Sequence, residues 1–158
     1  DDLDFLIIDT GAGIGGNIQH FLEMADEVII VTVPDPAAIT DAYATIKTTS
    51  KNKESLLMLL NSVKNENEAL RVFENIKKVA DTNIKNPLQL ELLGFLSTSK
   101  DVSTSIKKRT LFSDENSSVS DELKSLTSKL LYRLEQKVLY DISKRSFKGF
   151  FKKIIERF

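Results

Sequence analysis

No cysteine occurs in the 158 residues, so no disulfide staples the fold, and the chain is compatible with a reducing cytosol. Only one histidine is present, His20, and with no second histidine or cysteine beside it, it reads as an ordinary helix residue rather than a ligand or a base. No run of eighteen apolar residues exists, so no segment reads as crossing a membrane. An excess of one charge is lacking too. The formal net charge is −1, which gives no global pull toward nucleic acid or an acidic bilayer. What is present is a hydrophobic content of 41%, enough for one globular core. The average charge hides an asymmetry, because the last fifteen residues hold six Lys/Arg against the single acid Glu156, and the first 143 carry about −6.

The chain opens on Asp1-Asp2-Leu3 with neither methionine nor targeting segment, and is expected to be the C-terminal part of a longer protein. Phe5-Leu6-Ile7-Ile8-Asp9 is a short apolar run before a glycine-rich turn, the pattern of a strand buried on both faces of a parallel sheet. A helix is expected from about Asn17 to Met24. Val28-Ile29-Ile30-Val31 repeats the buried-strand pattern, and Asp35-Pro36 places a capping carboxylate before a proline at the first helical position. The helix it opens should run from Ala37 to about Thr48. A third strand covers Leu56 to Leu60, ending at Asn61, then a helix runs from roughly Glu66 to Val79. Leu88 to Leu96 supplies a fourth strand, interrupted by Gly94. Strands alternating with helices predict an α/β fold on a parallel, doubly wound sheet. Beyond Asp101 the pattern is helical, with Leu123, Leu126, Leu130, Leu131, Leu134, Val138 and Ile142 on one stripe that reads as core.

Asp9-Thr10-Gly11-Ala12-Gly13-Ile14-Gly15-Gly16 is the most informative stretch. Gly11, Gly13 and Gly16 match the dinucleotide pattern G-x-G-x-x-G, with Asp35 some distance on as the acidic residue, which keeps a nicotinamide-dependent oxidoreductase in view. Against it stands Asp9, whose unshielded carboxylate at the strand end repels a pyrophosphate. A magnesium ion between the two removes the conflict, as in P-loop NTPases, where an aspartate at the end of an apolar strand orients the metal's water shell. That favours Asp9 on the metal side and Gly11, Ala12 and Gly13 as a phosphate-sensing switch whose backbone N–H groups approach the terminal phosphate. A tight turn without ligand remains an alternative for the glycines.

Asp4-Phe5-Leu6-Ile7-Ile8-Asp9-Thr10-Gly11-Ala12-Gly13-Ile14 resembles the D-(Y/F)-I-I-x-D-T-G-A-G-I segment of the FlhG/FleN proteins, in the MinD/ParA family of P-loop ATPases. Val31-Thr32-Val33-Pro34-Asp35-Pro36-Ala37-Ala38-Ile39-Thr40-Asp41-Ala42-Tyr43-Ala44 is similar to their V-T-x-P-(E/D)-P-x-x-I-T-D-A-Y-A segment, at the right separation. The resemblance extends to the strand ending at Asn61, to Leu93-Gly94-Phe95-Leu96 and to the basic, aromatic tail. It implies that Asp9 binds magnesium through water in the second switch, that Gly13 faces the terminal phosphate and that Asn61 reads adenine. It also implies that Asp41 faces the ATP-bound dimer or a partner. Two departures stand out: Ser97 and Ser99 occupy the loop where the family commonly has a proline and an aspartate, and no G-x-x-x-x-G-K-[ST] loop is present. The full-length protein is therefore expected to bind ATP and Mg and hydrolyse ATP, while this chain alone should be inactive.

In residues 144–158, Phe147, Phe150, Phe151, Ile154, Ile155 and Phe158 fall on one helical face, and basic residues including Lys148, Lys152 and Lys153 lie on the other. This is the pattern of a helix lying in a membrane interface, with core packing as the alternative because Gly149 weakens the helix in water. Three parts are expected: residues 1–112 as the C-terminal half of a MinD-like ATPase domain, 113–143 as a packing helix, and 144–158 as the membrane-binding helix. The resemblance implies an ATP-dependent homodimer, cytoplasmic and peripheral on the anionic inner membrane, that sets flagellar number or placement through flagellar assembly proteins without direct nucleic acid contact. A docking module that binds membrane and protein without nucleotide is the rival reading.

Overall fold

A computed structural model describes residues 4–11, 13, 15–114 and 117–155, with side chains described as far as Leu139 except those of Asn17 and Asp114. Among the described residues, five α-helices and three strands follow in the order α1 (Gly16–Met24), β1 (Ile29–Thr32), α2 (Pro36–Thr49), β2 (Ser55–Val63), α3 (Glu66–Asn83), β3 (Gln89–Ser97), α4 (Lys100–Lys108) and α5 (Ser118–Ile155). The strands pair in parallel, in the order β1-β2-β3. The expected α/β fold with a parallel sheet is the observed one.

Local chemistry sets the helix starts. Asp35 Oδ1 accepts the N–H groups of Ala37 and Ala38 (2.9 and 3.2 Å) ahead of Pro36, so the first turn of α2 is capped as expected. Asn65 does the same for α3 through Glu68 N (3.0 Å), and Glu68 reaches back to accept the N–H of Lys64 (2.7 Å). One sheet face buries Ile30, Leu56, Met58, Leu60 and Leu90 against Ala42 and Ile46 of α2 and Val72, Phe73 and Ile76 of α3. On the other face a smaller cluster joins Leu57 and Leu93 to Leu126 of α5.

The run at residues 5–9 departs from expectation. It forms no strand, and Phe5, Leu6, Ile7 and Ile8 are exposed, Leu6 and Ile7 by 80% and 89%. A buried strand needs hydrogen-bonded neighbours and a cover on each face, and no described strand pairs with this one. Among the described residues the outer edge of β1 is likewise unpaired, and its Ile29 and Val31, on the same sheet face as Leu57 and Leu59 where α5 packs, are left exposed beyond the reach of α5. Nor does β2 end at Asn61. It runs on to Val63 through an irregularity in which Ser62 takes φ +56° and the pairing with β3 slips between Leu60 and Val63. A second slip, between Met58 and Leu59, places Leu92 and Gly94 opposite consecutive residues of β2. At that point α5 crosses closest: Gly94 has φ +157°, and a Cβ there would overlap the Cδ2 of Leu126.

The helical stripe of α5 is core only in part. Leu126 is buried and Leu123, Leu130 and Leu134 half-buried, but Leu131 and Val138 are exposed. α5 runs antiparallel to β3, since Glu122 meets Ser97, Leu126 meets Gly94 and Arg133 meets Glu91. Its position is fixed by a polar cluster at the start of the strands. Arg133 donates to Glu27 Oε1 (3.1 Å), Glu91 Oε2 (2.8 Å) and Ser55 Oγ (2.7 Å), while Lys137 pairs with Glu27 and donates to the carbonyl of Asp26 (3.0 Å). Burial works against the Arg133 charge, but hydrogen bonds and attraction from Glu91 and Glu27 outweigh it and raise its pKa.

Candidate functional site

In an open parallel sheet the carboxyl ends of the strands are where a ligand finds backbone and loop groups together. Here those ends are Thr32, Val63 and Ser97. Most of the polar groups beside them are engaged. Thr32 Oγ1 donates to Ala38 O (3.1 Å), and Asp35 spends its Oδ1 on the cap of α2, which leaves it poorly suited to hold a ribose and weakens the dinucleotide reading. Ser97 donates through both its N–H and its Oγ to Glu122 (2.7 Å each), and Ser99 caps α4 through Asp101 N (3.0 Å). Both serines of this loop thus have structural partners.

Asn61 sits at this end of β2, half-buried, its Oδ1 accepting the N–H of Ser62 (2.9 Å). A second lone pair on that oxygen and the carboxamide N–H groups, which bond to no described residue, keep both donor and acceptor capacity. Asp9 lies in the irregular segment before α1, exposed, with no hydrogen bond or ion pair to a described residue. Gly11 and Gly13 follow it, both exposed, Gly13 at φ +114°, and nothing lies within 4 Å of where a Cβ would stand on either. Ala12 lies outside the described residues. A free carboxylate heading an open glycine turn suits a metal held through water with a phosphate beside it. No hydrogen bond or ion pair joins the Asp9 turn to Asn61, however, so the described structure does not gather these residues into one pocket. Asp41 is exposed on α2, where its carbonyl accepts from Thr45 Oγ1 (3.0 Å).

Among the described residues no group of three or more His, Cys, Asp or Glu is placed to hold a metal. His20 is exposed, 3.9 Å from Glu23. Of the tail, Phe147, Phe150, Phe151, Ile154, Ile155, Lys148, Lys152 and Lys153 continue the backbone of α5, with side chains outside the described set, and Phe158 lies outside the described residues. No described helix is long and apolar enough to cross a membrane.

Two arrangements had no mark in the residue pattern. The Arg133 cluster joins residues 42 and 106 positions apart. Lys53, just before β2, donates to the carbonyls of Glu23 and Ala25 (2.8 and 2.5 Å), closing the end of α1, and Asn52 donates to the Glu23 carboxylate. A shallow cleft lined by Gln19, Leu22, Thr48 and Lys51 adjoins these contacts, at the end of β2 opposite Asn61, and holds none of the residues singled out by chemistry.

No family profile matches the chain. It is similar to the flagellum site-determining protein YlxH of Helicobacter pylori, 39% identical over 156 residues, which are 98% of this chain and 52% of that protein. It is also similar to the antiactivator FleN of Pseudomonas aeruginosa, 32% identical over 111 residues, 69% of this chain and 39% of FleN. The chain thus spans about half the length, or less, of the curated relatives it matches.

Proposed function

The chain belongs to the MinD/ParA family, with the flagellar number regulators FlhG/YlxH and FleN, and from that premise we propose that it forms part of an ATPase that controls flagellar number or placement. Similarity along 98% of the chain to a flagellum site-determining protein carries this reading. In the whole protein ATP and magnesium drive dimerisation, and the complex rests on the cytoplasmic side of the anionic inner membrane, where it meets flagellar assembly proteins. Asp9 holds magnesium through water, Gly11, Ala12 and Gly13 offer backbone N–H groups to the terminal phosphate, Asn61 reads adenine, and Asp41 faces the second copy or a partner. The unengaged Asp9 carboxylate and the open glycines after it support these roles.

Because Asp9 is exposed and bonds to nothing described, Asp9→Ala in the whole protein should leave the melting temperature unchanged. The magnesium concentration needed for half-maximal ATP hydrolysis should rise about ten- to a hundredfold, the usual cost of losing a group that orients a metal's own ligands. An unchanged magnesium dependence would make the aspartate structural.

For the tail, the continuous backbone helix of α5 as far as Ile155 supports an amphipathic helix lying in the interface. Phe150→Ala with Phe151→Ala should weaken binding to anionic vesicles on the order of a hundredfold at any salt concentration. Lys152→Gln with Lys153→Gln should weaken it mainly at low ionic strength, since physiological salt already screens that attraction beyond about 8 Å. Flotation unaffected by either pair would remove the membrane from this reading.

A further inference from the structure

Helix α4 closes on Arg109, whose φ of +58° is a conformation usually given to glycine. The closing bonds run from Arg109 N–H to Ile106 O (3.2 Å) and from Thr110 N–H to Ser105 O (3.0 Å). All six residues 106–111 are exposed. Ile106 and Leu111, 70% and 71% exposed, bracket the consecutive cations Lys107, Lys108 and Arg109, and no acid falls between them. Cations in the last turn suit the helix dipole, but that accounts neither for two bare aliphatic side chains nor for an arginine where glycine closes the turn with less strain.

We propose that this turn is a membrane contact separate from the tail, in which Ile106 and Leu111 enter the boundary of an anionic leaflet while Lys107, Lys108 and Arg109 meet its phosphates. Charge and shape favour lipid over a protein partner. Protein interfaces centre on aromatic or arginine anchors seated in packed pockets; residues 106–111 contain no aromatic side chain, and their one arginine, Arg109, stands exposed between two lysines and a threonine rather than seated in a pocket. A fluid interface needs no matching pocket; it takes aliphatic tips and pairs with cations beside them. Contact here, away from the last fifteen residues, gives the domain a second point of attachment and so a defined orientation on the bilayer.

The sequence has no tryptophan, so Leu111→Trp places a single emission reporter in the otherwise intact chain. With vesicles containing phosphatidylglycerol the emission should shift to the blue and be quenched by brominated acyl chains, with neither change on pure phosphatidylcholine. Lys107→Gln with Lys108→Gln should lower partitioning on the order of 30-fold at low salt. The blue shift should persist at saturating lipid when Phe150→Ala and Phe151→Ala are combined with the reporter. A reporter that keeps its aqueous emission while the protein floats with the vesicles overturns this contact and leaves the tail reading intact. A shift elicited by polyglutamate but not by vesicles also overturns it and assigns the turn to an acidic protein partner.

Discussion

Arg133→Ala is expected to cost about 3–5 kcal/mol of folding stability, the range for removing one member of a largely buried ion pair. The loss is that large because of what stays behind. Glu27 is 7% exposed at its side chain, and its Oε2 already lacks a partner, so without Arg133 only Lys137 faces the buried carboxylate. Glu91 is 36% exposed and recovers hydration more easily, which places the cost nearer the lower figure. Set against a total of about 5–15 kcal/mol for a domain, this is a large share. Denaturant unfolding should show a lower midpoint for Arg133→Ala and a substantial recovery for Arg133→Met combined with Glu27→Met, since two apolar side chains leave no charge stranded. If Arg133→Ala unfolds at the wild-type midpoint, α5 is not held at this cluster.

Gly94→Ala comes next, at about 1–3 kcal/mol from overpacking alone. A side chain at φ +157° is strained, and its Cβ meets Leu126, which is itself buried between Leu57 and Leu93. A thermal melt should fall by about 5–10 °C at the upper end of that cost. Leu126→Ala, destabilising by itself, should absorb part of the clash, so the double variant loses less than the sum of the single ones. Strict additivity would show that Gly94 and Leu126 do not touch in solution, and α5 would then cross the sheet elsewhere.

These two sites mark where the sequence was readable and where it was not. The runs at residues 29–32, 55–63 and 89–97 were legible because apolar patterning tracks burial, and Asp35-Pro36 because a cap and its proline are adjacent in the chain. Residues 5–9 carry the same apolar pattern without a strand, since a run of hydrophobic residues states a need for cover and not which segment supplies it. Glycine at position 94 was visible as an interruption, but its cause, the approach of Leu126, lies 32 positions away. For the same reason Arg133 and Glu122 looked like ordinary helix charges; their partners Glu27, Glu91 and Ser97 become neighbours only once α5 lies back along β3. The Leu126 stripe was over-read, because α5 passes the sheet before Val138, which periodicity has no means of marking. Of the candidate site, Asp9 and Asn61 were singled out by their chemistry and family resemblance, while their spatial relation depends on contacts the described chain does not make.

Helix α5 does not stop where its described side-chain contacts do. Beyond Lys137, which still meets Glu27 and Asp26, it continues for another 18 residues to Ile155, a lever of about 27 Å at 1.5 Å per residue, pointing away from the strand ends where Thr32 and Ser97 lie. Each residue turns an α-helix by about 100°, so adding or deleting one between Lys137 and Lys144 would swing everything beyond it by that angle relative to the sheet. A change of seven would return it to within about 20°. The angular setting of the C-terminal segment is thus governed by the number of residues separating it from Arg133, more than by the identity of any of them.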